Sequence, residues 1–191
     1  MSLMRRSRVT LREPTVADAR GIAQVLVESW LVAYEGVLPS ELLAGISVSA
    51  RQKQLEAALA APKPPGAVRL VAVQHGIIIG FANAGVTASP AEASATAPDQ
   101  SGEPRPDGEL AVLYVASQHW QQGVGRKLLR RVTRQLTVSE CGVVHAWVVD
   151  GNDRATAFFR RQGWTQSTHR RIEAMDGHAI RQTRMDFRLN D

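Results

Sequence analysis

Glu109-Leu110-Ala111-Val112-Leu113-Tyr114-Val115, followed after a short connection by Gln121-Gln122-Gly123-Val124-Gly125-Arg126, is the stretch on which the reading of this chain turns. Leu110–Val115 is apolar at every position, the pattern of a strand covered on both faces, and predicts a central strand. The glycine turn opens a helix with Leu128, Leu129, Val132 and Leu136 as its buried stripe, while Arg126, Lys127, Arg130, Arg131 and Arg134 lie off it. The first turn of a helix carries unpaired N–H groups and partial positive charge, and glycine lets the backbone approach an anion with no Cβ in the way. Residues Gln121 to Arg126 therefore fit a pyrophosphate. On these residues alone, a tight turn beside a solvated basic helix stays open as the alternative.

Two other phosphate motifs fit poorly. No Gly-x-x-x-x-Gly-Lys-Ser/Thr run exists. A dinucleotide fingerprint requires a third glycine where Leu128 stands, and Ala116 to Gln122 separate the strand from the turn. Asp150 is the one residue that could mimic a ribose-binding acid, so NAD is not favoured.

Outward from this centre the elements follow in order. Arg8–Arg12 alternates as a short strand, Thr15 and Asp18 open a helix with Ala19, Ile22, Ala23, Leu26 and Trp30 inward, and a second helix is expected from about Ser49 to Ala61. Val68–Gln74 and Ile77–Val86 read as a hairpin turning at His75-Gly76. Val143–Val149 reads as a strand, Asn152 opens a helix that Gly163 ends, and Trp164–Glu173 with Ala179–Leu189 form a last hairpin about Asp176-Gly177. Residues 88–107 hold no large apolar side chain and are expected to be a flexible insertion.

With 191 residues, the chain is expected to be one domain over 9–189, behind a tail 1–8 in which 1–3 is compatible with a cloning remnant. No apolar run approaches the roughly 18 residues of a membrane span, and no signal-peptide core follows the first arginines. One cysteine, Cys141, excludes an intramolecular disulfide and a cysteine-based zinc site, and the five histidines show no ligand spacing. No metal and no membrane are expected, and the cytoplasm is the expected compartment. The net charge of +5 is concentrated in residues 119–191, with 13 Lys+Arg against 7 Asp+Glu, which suits a polyanionic partner. Nucleic acid is not favoured, because the arginines flank aliphatic stripes without interleaved aromatics.

At this point the residues resemble the GNAT superfamily of acyl-CoA-dependent N-acyltransferases. The likeness rests on Glu109–Val115, on Trp120-Gln121-Gln122-Gly123-Val124-Gly125-Arg126, and on Asn152-Asp153-Arg154-Ala155-Thr156-Ala157-Phe158-Phe159-Arg160-Arg161-Gln162-Gly163-Trp164. Ser29-Trp30 with Tyr34, Gly36 and Pro39 resembles the opening of one branch of small bacterial members. There are two departures. Trp120 stands where the family has Gln or Arg, and Phe159 stands where many members have Tyr, so that position has no proton to donate.

The resemblance implies an α+β (three-layer, mixed) fold: a mixed, mostly antiparallel seven-stranded sheet with two splayed parallel central strands, flanked by about four helices. It implies acetyl-CoA in the gap between strands 110–115 and 143–149, with its pyrophosphate on the amides from Gln121 to Arg126. Backbone groups of Leu113 and Val115 would pair with the pantetheine arm beside Tyr114, the Val115 N–H would meet the thioester oxygen, and Asn152, Ala155 and Phe158 would line the arm's path. For Asn152 a plain helix cap is the alternative. An amine with pKa near ~10.4 is well under about 1% deprotonated at neutral pH, so a base helps; Glu109 stands where the family often has one, with a solvated strand-end acid as the alternative. Trp30 and Tyr34 are the candidate acceptor contacts, each otherwise core. The function so implied is transfer of acetyl to a primary amine, small or on a protein, by direct attack in a ternary complex, with a homodimer as a common assembly. A non-catalytic acyl-CoA-binding module is the rival reading.

Overall fold

The computed structural model describes residues 8–87 and 105–189. Seven strands form one sheet in the order β1-β2-β3-β4-β5-β7-β6. They are β1 (Thr10–Arg12), β2 (Val68–Gln74), β3 (Ile77–Val86), β4 (Asp107–Val115), β5 (Val143–Val149), β6 (Thr165–Met175) and β7 (His178–Arg188). Every neighbouring pair is antiparallel except β4 and β5. The mixed α+β fold is as the resemblance implied, and β4 is the middle strand.

Both hairpins turn on a residue pair with positive φ, His75 (52°) with Gly76 (77°) and Asp176 (46°) with Gly177 (81°). Two consecutive left-handed residues match the twist of the flanking strands, so these dipeptides set the register of the hairpins. The helices are α1 (Ala19–Ala33), α2 (Ser40–Ala44), α3 (Val48–Ala60), α4 (Val124–Val138) and α5 (Asp153–Arg161). Among the described residues there are thus five where about four were expected. The extra one, α2, is a single turn behind Pro39 that buries Leu42, too short to leave a periodic signal. Before α1, the Asp18 carboxylate accepts from the Thr15 N–H at 2.7 Å and pairs with Arg12 at 2.6 Å.

One face of the sheet carries α4 and α5, whose Leu128, Leu129, Val132, Leu136 and Phe159 pack with Leu110, Val115, Val144 and Val148 in the main core. The other face carries α1 and α3, through Ile22 with Leu55, Leu59, Val71 and Phe81, and through Trp30 and Tyr34 with Tyr114 and Val149. Among the described residues no helix is long and apolar enough to cross a membrane.

The insertion expected over 88–107 lies, for 88–104, outside the described residues. Its end is corrected: Asp107 opens β4 and is 1% exposed. An Asp-Gly pair reads as a turn, but here the carboxylate meets the buried Arg184 Nη2 at 3.2 Å, a partner 77 residues away that no local pattern announces.

Candidate active site

The parallel pair β4 and β5 is joined at three rungs, Asp107↔Val143, Gly108↔Val144 and Glu109↔His145. Beyond them the strands part. β4 stays paired with β3 to Val115, and β5 stays paired with β7 to Val149. A bulge helps turn β4 away: Val112 lies opposite Asn83 and Leu110 opposite Ala84, so Ala111 is an extra residue. At the foot of the gap Arg184, wholly buried, donates from Nη2 to Asp107 Oδ2 at 3.2 Å and from Nε to Asp186 Oδ1 at 2.6 Å. This ties β4 to β7 across β5.

The gap opens into a cleft of about 1050 Å³. Its walls include Leu113, Tyr114 and Val115 of β4, the whole turn from Gln121 through Gln122, Gly123, Val124 and Gly125 to Arg126, and Asn152, Ala155 and Phe158. The residues assigned to cofactor binding from sequence thus surround one cavity. Gly123 caps α4 at φ 83° and Gln121 stands at φ 59°. That double departure from ordinary backbone turns the connection so that the amides of α4's first turn face the cleft, and a Cβ at Gly123 would be strained by φ alone. A Cβ on Gly125 would lie 3.4 Å from the Phe158 ring, which keeps the floor close to the backbone there.

The edge of β4 offers polar backbone to the gap. Ala116 N–H donates to Ile79 O at 3.0 Å, so by alternation residues 114 and 116 turn their amides to β3, while Leu113 and Val115 turn theirs to the gap. The Val115 carbonyl accepts from Ser29 Oγ at 2.9 Å and from Trp120 Nε1 at 2.7 Å. Both its lone pairs are engaged, which narrows the expected pairing: Val115 presents its N–H, and Leu113 both groups. Glu28 fixes the next segment, its Oε1 accepting from Ser117 Oγ at 2.6 Å and Ser117 N at 3.1 Å.

Ser29 and Trp120 are therefore site residues that sequence reasoning missed. The signal for Ser29 was a hydroxyl within the apolar stripe of α1. For Trp120 it was the departure from Gln or Arg, because the indole N–H reaches back to Val115 while Arg154 covers its ring at 4.1 Å.

Asn152 caps α5, Oδ1 accepting from Ala155 N at 3.0 Å, and also lines the cleft. Both of its roles can coexist in this geometry. The Tyr34 hydroxyl lies beside Asn152 and Tyr114, and burial holds both phenols above the ordinary tyrosine range, protonated at neutral pH. Tyr34 lines the cleft; Trp30 lies behind it, its ring 5.1 Å from Tyr34 and 6.4 Å from Tyr114. Phe159 is buried against Trp164, ring centroids 4.8 Å apart.

Glu109 is not in the wall of the large cleft. It lines an adjoining hollow of about 240 Å³ on the α1 face, which meets the cleft at Ala111. Arg171 Nη1 stands 3.9 Å from its Oε1. Cys141 is buried, and burial with nearby Asp107 pushes its thiol up to about 11, the wrong direction for a nucleophile. Among the described residues no group of three or more His, Cys, Asp or Glu is placed to hold a metal ion.

Comparison with known proteins gives one answer throughout. The family profile described as acetyltransferase (GNAT) family matches residues 22–164. An uncharacterized N-acetyltransferase of Bacillus subtilis, YuaI, is 28% identical over 144 residues, covering 75% of this chain and 73% of that protein. A GCN5-related N-acetyltransferase from Rhodopseudomonas palustris superposes with a TM-score of 0.68 at 19% identity, over 99% of both chains. YncA of Salmonella typhimurium, solved with acetyl-CoA, superposes with a TM-score of 0.63 at 20% identity, over 97% of this chain and 96% of that one. The structural likenesses, at these identities, speak to the fold.

Proposed function

The chain belongs to the GNAT acetyltransferase family, and on that premise we propose that it moves an acetyl group from acetyl-CoA to a primary amine by direct attack in a ternary complex. The observation that carries this reading is the parting of β4 from β5 after three rungs, with a left-handed glycine turn at the mouth of the gap. The cavity tests the fit of the cofactor: an anion cradle at one end, an unpaired strand edge along the side and buried donors at the inner end.

In this reading the amides from Gln121 to Arg126 hold the pyrophosphate, with α4's partial positive charge behind them. Leu113 offers an N–H and a C=O to the pantetheine amides, as a neighbouring strand would. Asn152, Ala155 and Phe158 line the arm's path. Acetyl-CoA, when bound, supplies the acyl group as a thioester. The Val115 N–H is held toward the thioester oxygen, and its peptide is fixed in advance by Ser29 and Trp120, so little reorganisation is required as charge develops there. Glu109, in the hollow that meets the cleft at Ala111, takes the proton from the incoming ammonium through intervening water. No acid stands at Phe159. A thiol with pKa around 8.5 leaves as a tolerable anion, and the protonated Tyr34 is a buried phenol donor in the cleft wall.

The test has two parts. Acetyl-CoA is expected to raise the melting temperature of the chain, as any native-state ligand does. Thiol release over a panel of amines then measures turnover, and Glu109→Gln is expected to lower it and flatten the acidic limb of its pH profile with acetyl-CoA affinity unchanged. No thermal shift at millimolar acetyl-CoA would refute the binding site. An unaltered profile in the variant would refute the base.

A further inference from the structure

The α1 face of the sheet, where the gap opens away from the nucleotide cradle, carries a charge arrangement that the reaction described above does not use. Arg171 reaches from β6 across Trp147, its guanidinium 4.6 Å from the ring centroid. Its Nε donates to Oε1 of the buried Gln182 at 2.7 Å, and its Nη2 stands 3.4 Å from Glu173 Oε2. Gln182 Nε2 in turn donates to Glu173 Oε2 at 3.0 Å. The remaining end, Nη1, points at Glu109 from 3.9 Å, longer than a hydrogen bond. Trp147 itself lines the cleft. An arginine is thus braced by a ring, a buried amide and a carboxylate, and its Nη1 is presented to the candidate base at 3.9 Å.

It is not alone. Arg69 shares the 240 Å³ hollow with Glu109 and Asn83. Two guanidinium groups from two strands, Arg171 of β6 and Arg69 of β2, therefore stand near Glu109. A second cation on an acceptor would meet repulsion there, whereas an anionic group next to the amine would find a planar, pre-oriented partner.

Resting on the acyl-transfer reading, we propose that the acceptor is an amine that carries a carboxylate next to it, as a free amino acid does, and that Arg171 reads that carboxylate while Glu109 receives the ammonium. Bidentate pairing to Arg171 would also draw the guanidinium off Glu109, so the acceptor completes the site on arrival.

The experiment uses the full chain and measures CoA release from acetyl-CoA with matched sets: amino acids, their amides, the decarboxylated amines, and spermidine. Phosphoethanolamine against ethanolamine tests phosphate in place of carboxylate. The expected result is a kcat/KM at least tenfold higher for amino acids than for their amides. Arg171→Gln is expected to erase that ratio chiefly through KM, and Arg171→Lys to restore part of it. A preference for amides or spermidine, a preference for phosphate over carboxylate, or a ratio untouched by Arg171→Gln would overturn the assignment. Acetyl-CoA titration of each variant separates the two readings. Normal cofactor binding with no turnover of any carboxylate-bearing amine overturns this acceptor class alone, whereas absent cofactor binding removes the acyl-transfer reading with it.

Discussion

Gly125→Glu tests the anion cradle most directly. The structure divides its effect into bulk and charge. A Cβ at this position would meet the Phe158 ring at 3.4 Å and Val115 Cγ2 at 3.8 Å, ordinary contacts. Gly125 is also absent from the positions with positive φ. Gly125→Ala is therefore expected to fold and to bind acetyl-CoA within a few fold of the parent. The longer side chain adds a carboxylate in the first turn of α4, beside the amides assigned to the diphosphate, and a separation of about 5 Å between the charges is taken for the arithmetic. At an effective dielectric of about 20, one like charge at that distance costs about 3 kcal/mol, and a diphosphate roughly twice that. Since about 1.4 kcal/mol is tenfold, Kd is expected to rise at least 100-fold in the glutamate variant. The assay is isothermal titration with acetyl-CoA at low and high salt, the penalty shrinking as salt screens it. A glutamate variant with native circular dichroism and native affinity would refute the cradle. An equal loss in the alanine variant would refute the role given to charge.

Trp120→Phe and Ser29→Ala each delete one donor to the Val115 carbonyl, worth about 1 kcal/mol apiece. Each is expected to lower kcat about fivefold with acetyl-CoA affinity nearly unchanged, and steady-state kinetics beside titration checks it. Cys141, its thiol pushed up to about 11 by burial and by Asp107, is expected to resist iodoacetamide at pH 8 in the folded chain and to react at once in denaturant, read by mass spectrometry. Asp18 is held below the usual carboxylate range, first by its hydrogen bonds to Arg12. A depressed folded pKa stabilises above the unfolded value near ~3.9 and loses that contribution as pH falls toward the folded one. Asp18→Asn is thus expected to cost about 1 kcal/mol at pH 7 through the lost cap and ion pair, the gap to the parent closing below about pH 4 in urea titrations.

Much of the architecture was legible because its determinants are local. The β-branched run Val143–Val149 and the dipeptides His75-Gly76 and Asp176-Gly177 fix strands and turns within a few residues of themselves, and the structure places those elements where pattern put them. Gly123 was equally readable, since a left-handed cap requires it. What escaped was long-range. Ser29 meets Val115 across 86 positions and Arg184 meets Asp107 across 77, so neither pairing has a spacing to recognise. Trp30 in the last turn of α1 and Tyr34 at its C-cap both face inward, and only packing separates the one behind the cleft wall from the one in it.

The placement of Glu109 marks the boundary. The order of residues determined that a carboxylate stands at the start of the central strand and that amides wait beyond its end. Counting by twos from Val115 would set Leu113, Ala111 and Glu109 all on the α4 face. The extra residue at Ala111 resets that count: Leu110 joins Leu113 and Val115 in the α4 core, while Glu109 turns to the α1 face with Val112 and Tyr114. A bulge depends on how a strand is registered against its neighbour and on what must be buried on each side. The side of the sheet to which Glu109 turns was therefore decided by tertiary pairing, not by the alternation of the strand itself.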